Sequence, residues 1–277
     1  FLCYLTFQRN KVWKNSETLW TDMMKVYPKN ELAWFNRGVY YFDKKKLDSA
    51  LTDFSRAIEI NPNYTDALKA RANIYLKKKK NKEAISDYSR LISGDSTNAA
   101  YYLQRGTLNR DLGENRNAFR DFQKVVLLNA RDYSGYMNLA IQYSIDGKYE
   151  EALTNFNKSA ELSPESPEIY SNRGNLYSMM KNTESAISDY SKAIKLDSTL
   201  LNPYYYRAIL YSEKKMYDNA LKDYLKIISI EPANANACYG LAMVYAAKAD
   251  KKNARDYALR AKSLGMKVDE KFILSLQ

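Results

Sequence analysis

The 277-residue chain has no histidine, two cysteines, nine glycines and six prolines. Without histidine, the commonest general base, the commonest metal ligand and every Ser-His or Cys-His nucleophile pair are missing. Cys3 and Cys238 alone give neither a disulfide framework nor a metal site of the usual spacing. There is no glycine-rich phosphate loop, and SEKK at residues 212–215, which fits S-x-x-K, falls in a lysine-rich turn. No cofactor and no metal are expected, and the chain is expected not to be an enzyme. So few glycines and prolines argue against a sheet with many tight turns and for helices joined by short connections. The opening FLCYLTF is far shorter than the roughly 20 apolar residues of a membrane helix and lacks the order of a signal peptide. It begins with Phe1 rather than methionine, so a further segment is expected to precede it.

What is present is an ordinary globular balance, 45% hydrophobic and 27% charged, and a strong internal period. AISDYSR at residues 84–90 returns as AISDYSK at residues 186–192, and 186 − 84 is 102, three times 34. Prolines fall in the same register at Pro28, Pro62, Pro164 and Pro232, with Ser96, Ala130 and Ser198 in the skipped places. Counting by 34 from Trp34 gives Leu68, Tyr102, Tyr136, Tyr170, Tyr204 and Cys238. From Gly38 it gives Ala72, Gly106, Ala140, Gly174, Ala208 and Ala242, and from Ala50 an unbroken column of alanines at 84, 118, 152, 186, 220 and 254. Small residues let two helix backbones approach, and the aromatics at Phe54, Tyr88, Phe122, Phe156, Tyr190 and Tyr224 fill the space beside them.

Residues 31–62, ELAWFNRGVYYFDKKKLDSALTDFSRAIEINP, closely resemble the tetratricopeptide repeat consensus through Trp34, Gly38, Tyr41, Ala50, Phe54, Ala57 and Pro62. The resemblance covers nearly the whole chain. It implies an all-α fold, an α-solenoid wound as a right-handed superhelix of helix-turn-helix repeats and closed by a C-terminal capping helix. The expected organisation is residues 1–30 as a juxtamembrane segment or degenerate first repeat, seven repeats over 31–266, and a capping helix over 267–277 with Phe272, Ile273 and Leu276 on one face. Gly113 and Gly147 are expected to end first helices in the left-handed conformation.

Arg37, Arg71, Arg105, Arg173 and Arg207 share one column, and Asp53, Asp87, Asp121, Asp189 and Asp223 another. Where the arginine becomes Leu139 the acid becomes Asn155, and where it becomes Leu241 the acid becomes Tyr257. Such joint change predicts an ion pair inside each repeat rather than a row of free guanidiniums. Most of the 25 tyrosines are absorbed by core columns, leaving Tyr205 and Tyr239 as the best candidates to face a ligand. The net charge of +11 gathers at the turns, at Lys44 to Lys46, Lys77 to Lys80, Lys181, Lys214 and Lys215. There the cations neutralise the carbonyl ends of first helices or, stacked, form a basic edge for anionic surfaces.

By the same resemblance the job is that of a scaffold binding a peptide or protein in a concave groove. The implied groove residues are Asn36, Val39, Lys69, Asn73, Gln104, Thr107, Met137, Asn138, Ile141, Asn172, Asn175, Tyr205, Ile209, Tyr239 and Met243. The asparagines resemble the amide ladder with which some of these superhelices hold a peptide backbone. Lys69 and Asn73 match part of the clamp for a C-terminal carboxylate, but Gln104, Ser134 and Asn138 do not complete it. A protein or peptide partner is expected, and nucleic acid is not. Residues 1–22 also resemble the junction that joins membrane-embedded O-mannosyltransferase-like glycosyltransferases to their repeats, which makes an acceptor-binding appendage the alternative. Membrane attachment would then run through an upstream segment, or through the lysine edge. The side of the membrane stays open: Arg9, Lys11 and Lys14 point to a cytoplasmic face, whereas that group carries its repeats on the other side.

Overall fold

The computed structural model describes residues 15–277, and every regular element among them is helical. Helix α1 is Ser16–Val26. Seven pairs follow: α2 (Glu31–Asp43) with α3 (Leu47–Ile60), α4 (Thr65–Lys77) with α5 (Asn81–Gly94), α6 (Ala99–Asp111) with α7 (Asn115–Leu128), α8 (Tyr133–Ile145) with α9 (Tyr149–Leu162), α10 (Pro167–Met179) with α11 (Thr183–Leu196), α12 (Leu201–Glu213) with α13 (Tyr217–Ile230), and α14 (Ala235–Ala247) with α15 (Lys251–Ser263). Helix α16 (Glu270–Ser275) ends the order. The chain divides into two compact units between Asn138 and Leu139, within α8. Within each unit, helices pack on their neighbours in sequence, as α2 on α3 and α14 on α15, and second helices lie against the first helix of the next repeat, as α3 on α4 and α13 on α14.

The alanine column explains the pairing, because Ala50, Ala84, Ala118, Ala152, Ala186, Ala220 and Ala254 are all wholly buried. In α3, Ala50, Phe54, Ala57 and Ile58 recur at helical spacing on the buried face. The glycine column works against the aromatics. A Cβ on Gly38, Gly106 or Gly174 would come within 2.7 Å of the ring of Phe54, Phe122 or Tyr190. In the sixth repeat Ala208 fills that place, and Tyr224 lies instead beneath Gly240 of α14, too close for any Cβ there. In the second unit Ile273 and Leu276 of the closing segment are buried with Ala258 and Ala261 of α15, and Phe272 packs beside them, as the sequence pattern predicts.

Gly113 and Gly147 take φ of 77° and 74°. The same column holds Lys45, Lys79, Lys181, Lys215 and Ala249 at φ between 56° and 60°, so most repeats accept this turn without glycine. Another regularity concerns the orphan carbonyl of the turn between repeats. Trp34 Nε1 donates to the Pro28 carbonyl at 3.1 Å, Tyr102 Oη to Ser96 at 3.3 Å and Tyr170 Oη to Pro164 at 3.0 Å. Leu68 and Cys238 in that column have no comparable donor, and there Arg90 and Arg260 from the second helix donate to Pro62 and Pro232, each at 2.6 Å.

The turn lysines are partly consumed by the fold. Lys78 pairs with Asp48 at 2.5 Å, Lys214 with Glu184 and Lys248 with Asp218, each reaching back to the second helix of the preceding repeat. Asp111, Glu114 and Asp146 occupy the turns of the third and fourth repeats, so the run of lysine turns is interrupted in the middle of the chain. Among the described residues no helix is long and apolar enough to cross a membrane. The juxtamembrane resemblance falls mostly on residues 1–14, outside the described part.

Candidate functional site

Each predicted arginine pair forms, and forms in two-pronged geometry. Arg105 donates to Asp121 through Nε at 2.9 Å and Nη2 at 2.7 Å, and the pairs at Arg37, Arg71, Arg173 and Arg207 repeat the arrangement. The sequence reading missed a third bond. Nη1 donates to the preceding repeat: Arg37 to Thr21, Arg71 to Ser55, Arg105 to Ser89, Arg173 to Asn157 and Arg207 to Ser191. The hydrogen bonds to Asp53, Asp121 and Asp189 hold the Arg37, Arg105 and Arg173 guanidiniums above their ordinary range. The column is therefore a structural tie, and its donors are not offered to a ligand.

The predicted groove residues fall into three groups. Lys69, Asn73 and Gln104 are exposed on α4 and α6, with the Lys69 ammonium 5.6 Å from the Tyr101 ring. Asn36, Val39, Thr107, Met137, Ile141 and Asn172 are half-buried; Val39 packs against the Phe54 cluster, and Thr107 Oγ1 donates to the Leu103 carbonyl. Asn138 and Asn175 are engaged inside the fold. Asn138 is 7% exposed, accepts from Arg110 Nη1 at 2.6 Å and donates to the Ser134 carbonyl at 2.8 Å. Asn175 accepts from Tyr190 Oη at 2.7 Å. These two amides have partners already, so a ladder would have to displace them.

The remaining four, Tyr205, Ile209, Tyr239 and Met243, converge on one pocket of about 370 Å³ in the second unit. Its walls are two first helices, α12 and α14, and its floor is α13, which contributes Tyr217 and Tyr224. Tyr205 stands edge-on to Tyr224, ring centroids 6.0 Å apart. Val244 and Ala247 continue the apolar wall of α14, and Ser212, Glu213 and Asn236 supply its polar lining. Burial raises the Tyr205 and Tyr224 phenols above their usual range. Sequence reasoning assigned Tyr224 to the core column and overlooked Gly240. The signal was that Gly240 is the one glycine in a column otherwise of Asn36, Ala70, Gln104, Asn138, Asn172 and Tyr206. A missing side chain there opens the pocket over the Tyr224 ring.

In class, then, the molecule is an α-solenoid of stacked helix pairs. It is built of tetratricopeptide repeats: the tetratricopeptide repeat model matches residues 32–64 and 167–200, and two related repeat models match 142–181 and 202–234. No curated protein matches it in sequence. Among solved structures, a tetratricopeptide repeat protein from Parabacteroides merdae is 21% identical, with a TM-score of 0.69 over 89% of this chain and 96% of that one. MamA is 25% identical, with a TM-score of 0.53 over 57% of this chain and 93% of its own. YrrB, described as a TPR protein with an unusual peptide-binding site, is 22% identical, with a TM-score of 0.57 over 70% of this chain and 97% of its own.

Proposed function

We propose that the chain is a protein-interaction scaffold that holds a peptide or protein segment against its first helices, with the pocket between α12 and α14 receiving one side chain of that segment. The observation that carries this reading is the convergence of Tyr205, Ile209, Tyr239 and Met243 on an open pocket walled by two first helices. Concave, largely apolar sites with a few placed polar groups are what ligand recognition uses, and aromatic walls give large contact area at low entropic cost. YrrB, similar in fold, is described as binding peptide. The exposed Lys69, Asn73 and Gln104 are offered as further contacts in the first unit. The test is selection of a displayed random peptide library on the full chain, followed by titration of the selected peptides. Met243 is 46% exposed, so Met243→Trp blocks the pocket at little cost to the fold. It is expected to weaken binding by about tenfold or more; unchanged affinity would place the site elsewhere.

A further inference from the structure

The lining of the α12–α14 pocket is specific about charge. Glu213, the last residue of α12, is the one charged residue in it, is exposed, and makes no ion pair or hydrogen bond among the described residues. The cations nearest in sequence are committed elsewhere or sit outside the lining: Lys214 is paired to Glu184, Lys248 to Asp218, and Lys215 occupies the left-handed turn. The second observation is Tyr224. It is 4% exposed and lines the pocket, and among the described residues its hydroxyl has no hydrogen-bond partner, unlike Tyr190, which donates to Asn175 from the equivalent place in the fifth repeat.

Among aliphatic, acidic and basic side chains the lining discriminates. An aliphatic one would cover the Tyr224 hydroxyl and draw Glu213 partly out of water without pairing either, which costs free energy. An acidic one would meet Glu213 as a like charge. A lysine or arginine has donors only; of the polar residues that line the pocket, the Glu213 carboxylate is acceptor-only, and the Tyr224 hydroxyl and Asn236 amide can accept as well as donate. The stem of such a residue is apolar and lies well against Ile209, Met243 and Val244. Tyrosine faces attract the cationic head, and this chain uses that contact throughout, as where the Arg207 guanidinium lies 5.7 Å from the Tyr211 ring centroid.

We infer that the α12–α14 pocket selects a basic side chain, lysine or arginine, of the bound segment, with Glu213 as its counter-charge and the tyrosines as its walls. This rests on the peptide-holding reading above, and the experiment separates the two. Peptides selected on the full chain are titrated, with the basic residue or norleucine at the anchor position, against the unchanged chain, Glu213→Gln and Met243→Trp. The expected result is a lysine or arginine fixed at one position of the selected peptides. Its replacement by norleucine should weaken binding about tenfold on the unchanged chain and under about threefold on Glu213→Gln. Raised salt should weaken the basic peptide and spare the norleucine one. If Met243→Trp abolishes binding but the anchor is apolar or acidic, or is indifferent to Glu213→Gln, the charge selection is wrong and the pocket stands. If Met243→Trp changes nothing, the pocket reading itself falls, and this inference with it.

Discussion

Gln142 is wholly buried, and among the described residues neither its amide nitrogen nor its oxygen has a partner. Counting by 34, its column holds the half-buried Tyr40 in the first repeat and then Ile74, Leu108, Leu176, Leu210 and Val244, all buried aliphatics. An unpaired buried amide loses its hydration and gains nothing in return. Gln142→Leu is therefore expected to stabilise the protein by about 1–3 kcal/mol, read as a higher urea midpoint. The odd residue in the column was visible in the sequence. That its amide would go unpaired was not, because this depends on what the surrounding helices offer. Gly174 shows the opposite case, since its column accepts alanine in four repeats while the Tyr190 ring leaves no room for a Cβ here. Gly174→Ala should cost about 1–3 kcal/mol, and a Tm no lower than that of the unchanged chain would refute the packing argument.

At the scale of the element, the arginine tie was legible because two columns change together, and the fourth repeat shows what replaces it: Leu139 with Asn155. The bond to the preceding repeat was harder to see, since Thr21, Ser55, Ser89, Asn157 and Ser191 differ in residue type while sharing only a polar oxygen. Asp121 is 4% exposed, so Arg105→Leu alone strands a buried carboxylate and should cost about 3–5 kcal/mol. Adding Asp121→Asn recreates the pairing of the fourth repeat and is expected to recover most of that loss in urea denaturation. The turns allow a gain. Ala249 is held at φ 60°, a conformation that penalises any side chain by about 1–2 kcal/mol. Ala249→Gly should raise the melting temperature, and Gly113→Ala should lower it. Neither lysine nor alanine announces a left-handed residue, so this column could be found only by aligning it with Gly113 and Gly147.

For the whole chain, the period fixed the order of helices and the first-helix faces, but the pocket depended on particulars that a column average hides: a glycine at 240, a tyrosine turned beneath it and a carboxylate at 213. Paired carboxylates and buried phenols give stability a pH window. Hydrogen bonds from Lys78, Lys214 and Lys248 hold the Asp48, Glu184 and Asp218 carboxylates below their ordinary values of 3.8, 4.5 and 3.8. A carboxylate depressed in the folded state binds its proton more readily when unfolded, so its contribution is present above those values and is lost as pH falls through the folded ones. Tyr190 and Tyr224 behave in the opposite sense. Burial raises both phenols above the ordinary 10.0, so their contribution is intact below pH 10 and is lost as pH climbs towards the folded values. Melting temperature followed by circular dichroism should therefore be level from about pH 5 to pH 9 and fall on either side. Lys214→Ala with Lys248→Ala should make the acid flank slightly shallower, because Asp48 keeps Lys78 and the Asp95, Asp197 and Asp250 carboxylates stay depressed by hydrogen bonds from Thr97, Thr199 and Asn253. On the alkaline flank Tyr224→Phe is the cleaner variant, because the Tyr224 hydroxyl has no partner among the described residues, whereas Tyr190 would also lose its bond to Asn175. Tyr224→Phe is expected to leave the melting temperature near pH 7 unchanged and to reduce the decline above pH 10. An unaltered alkaline decline would mean that the buried phenol at the pocket floor does not control it.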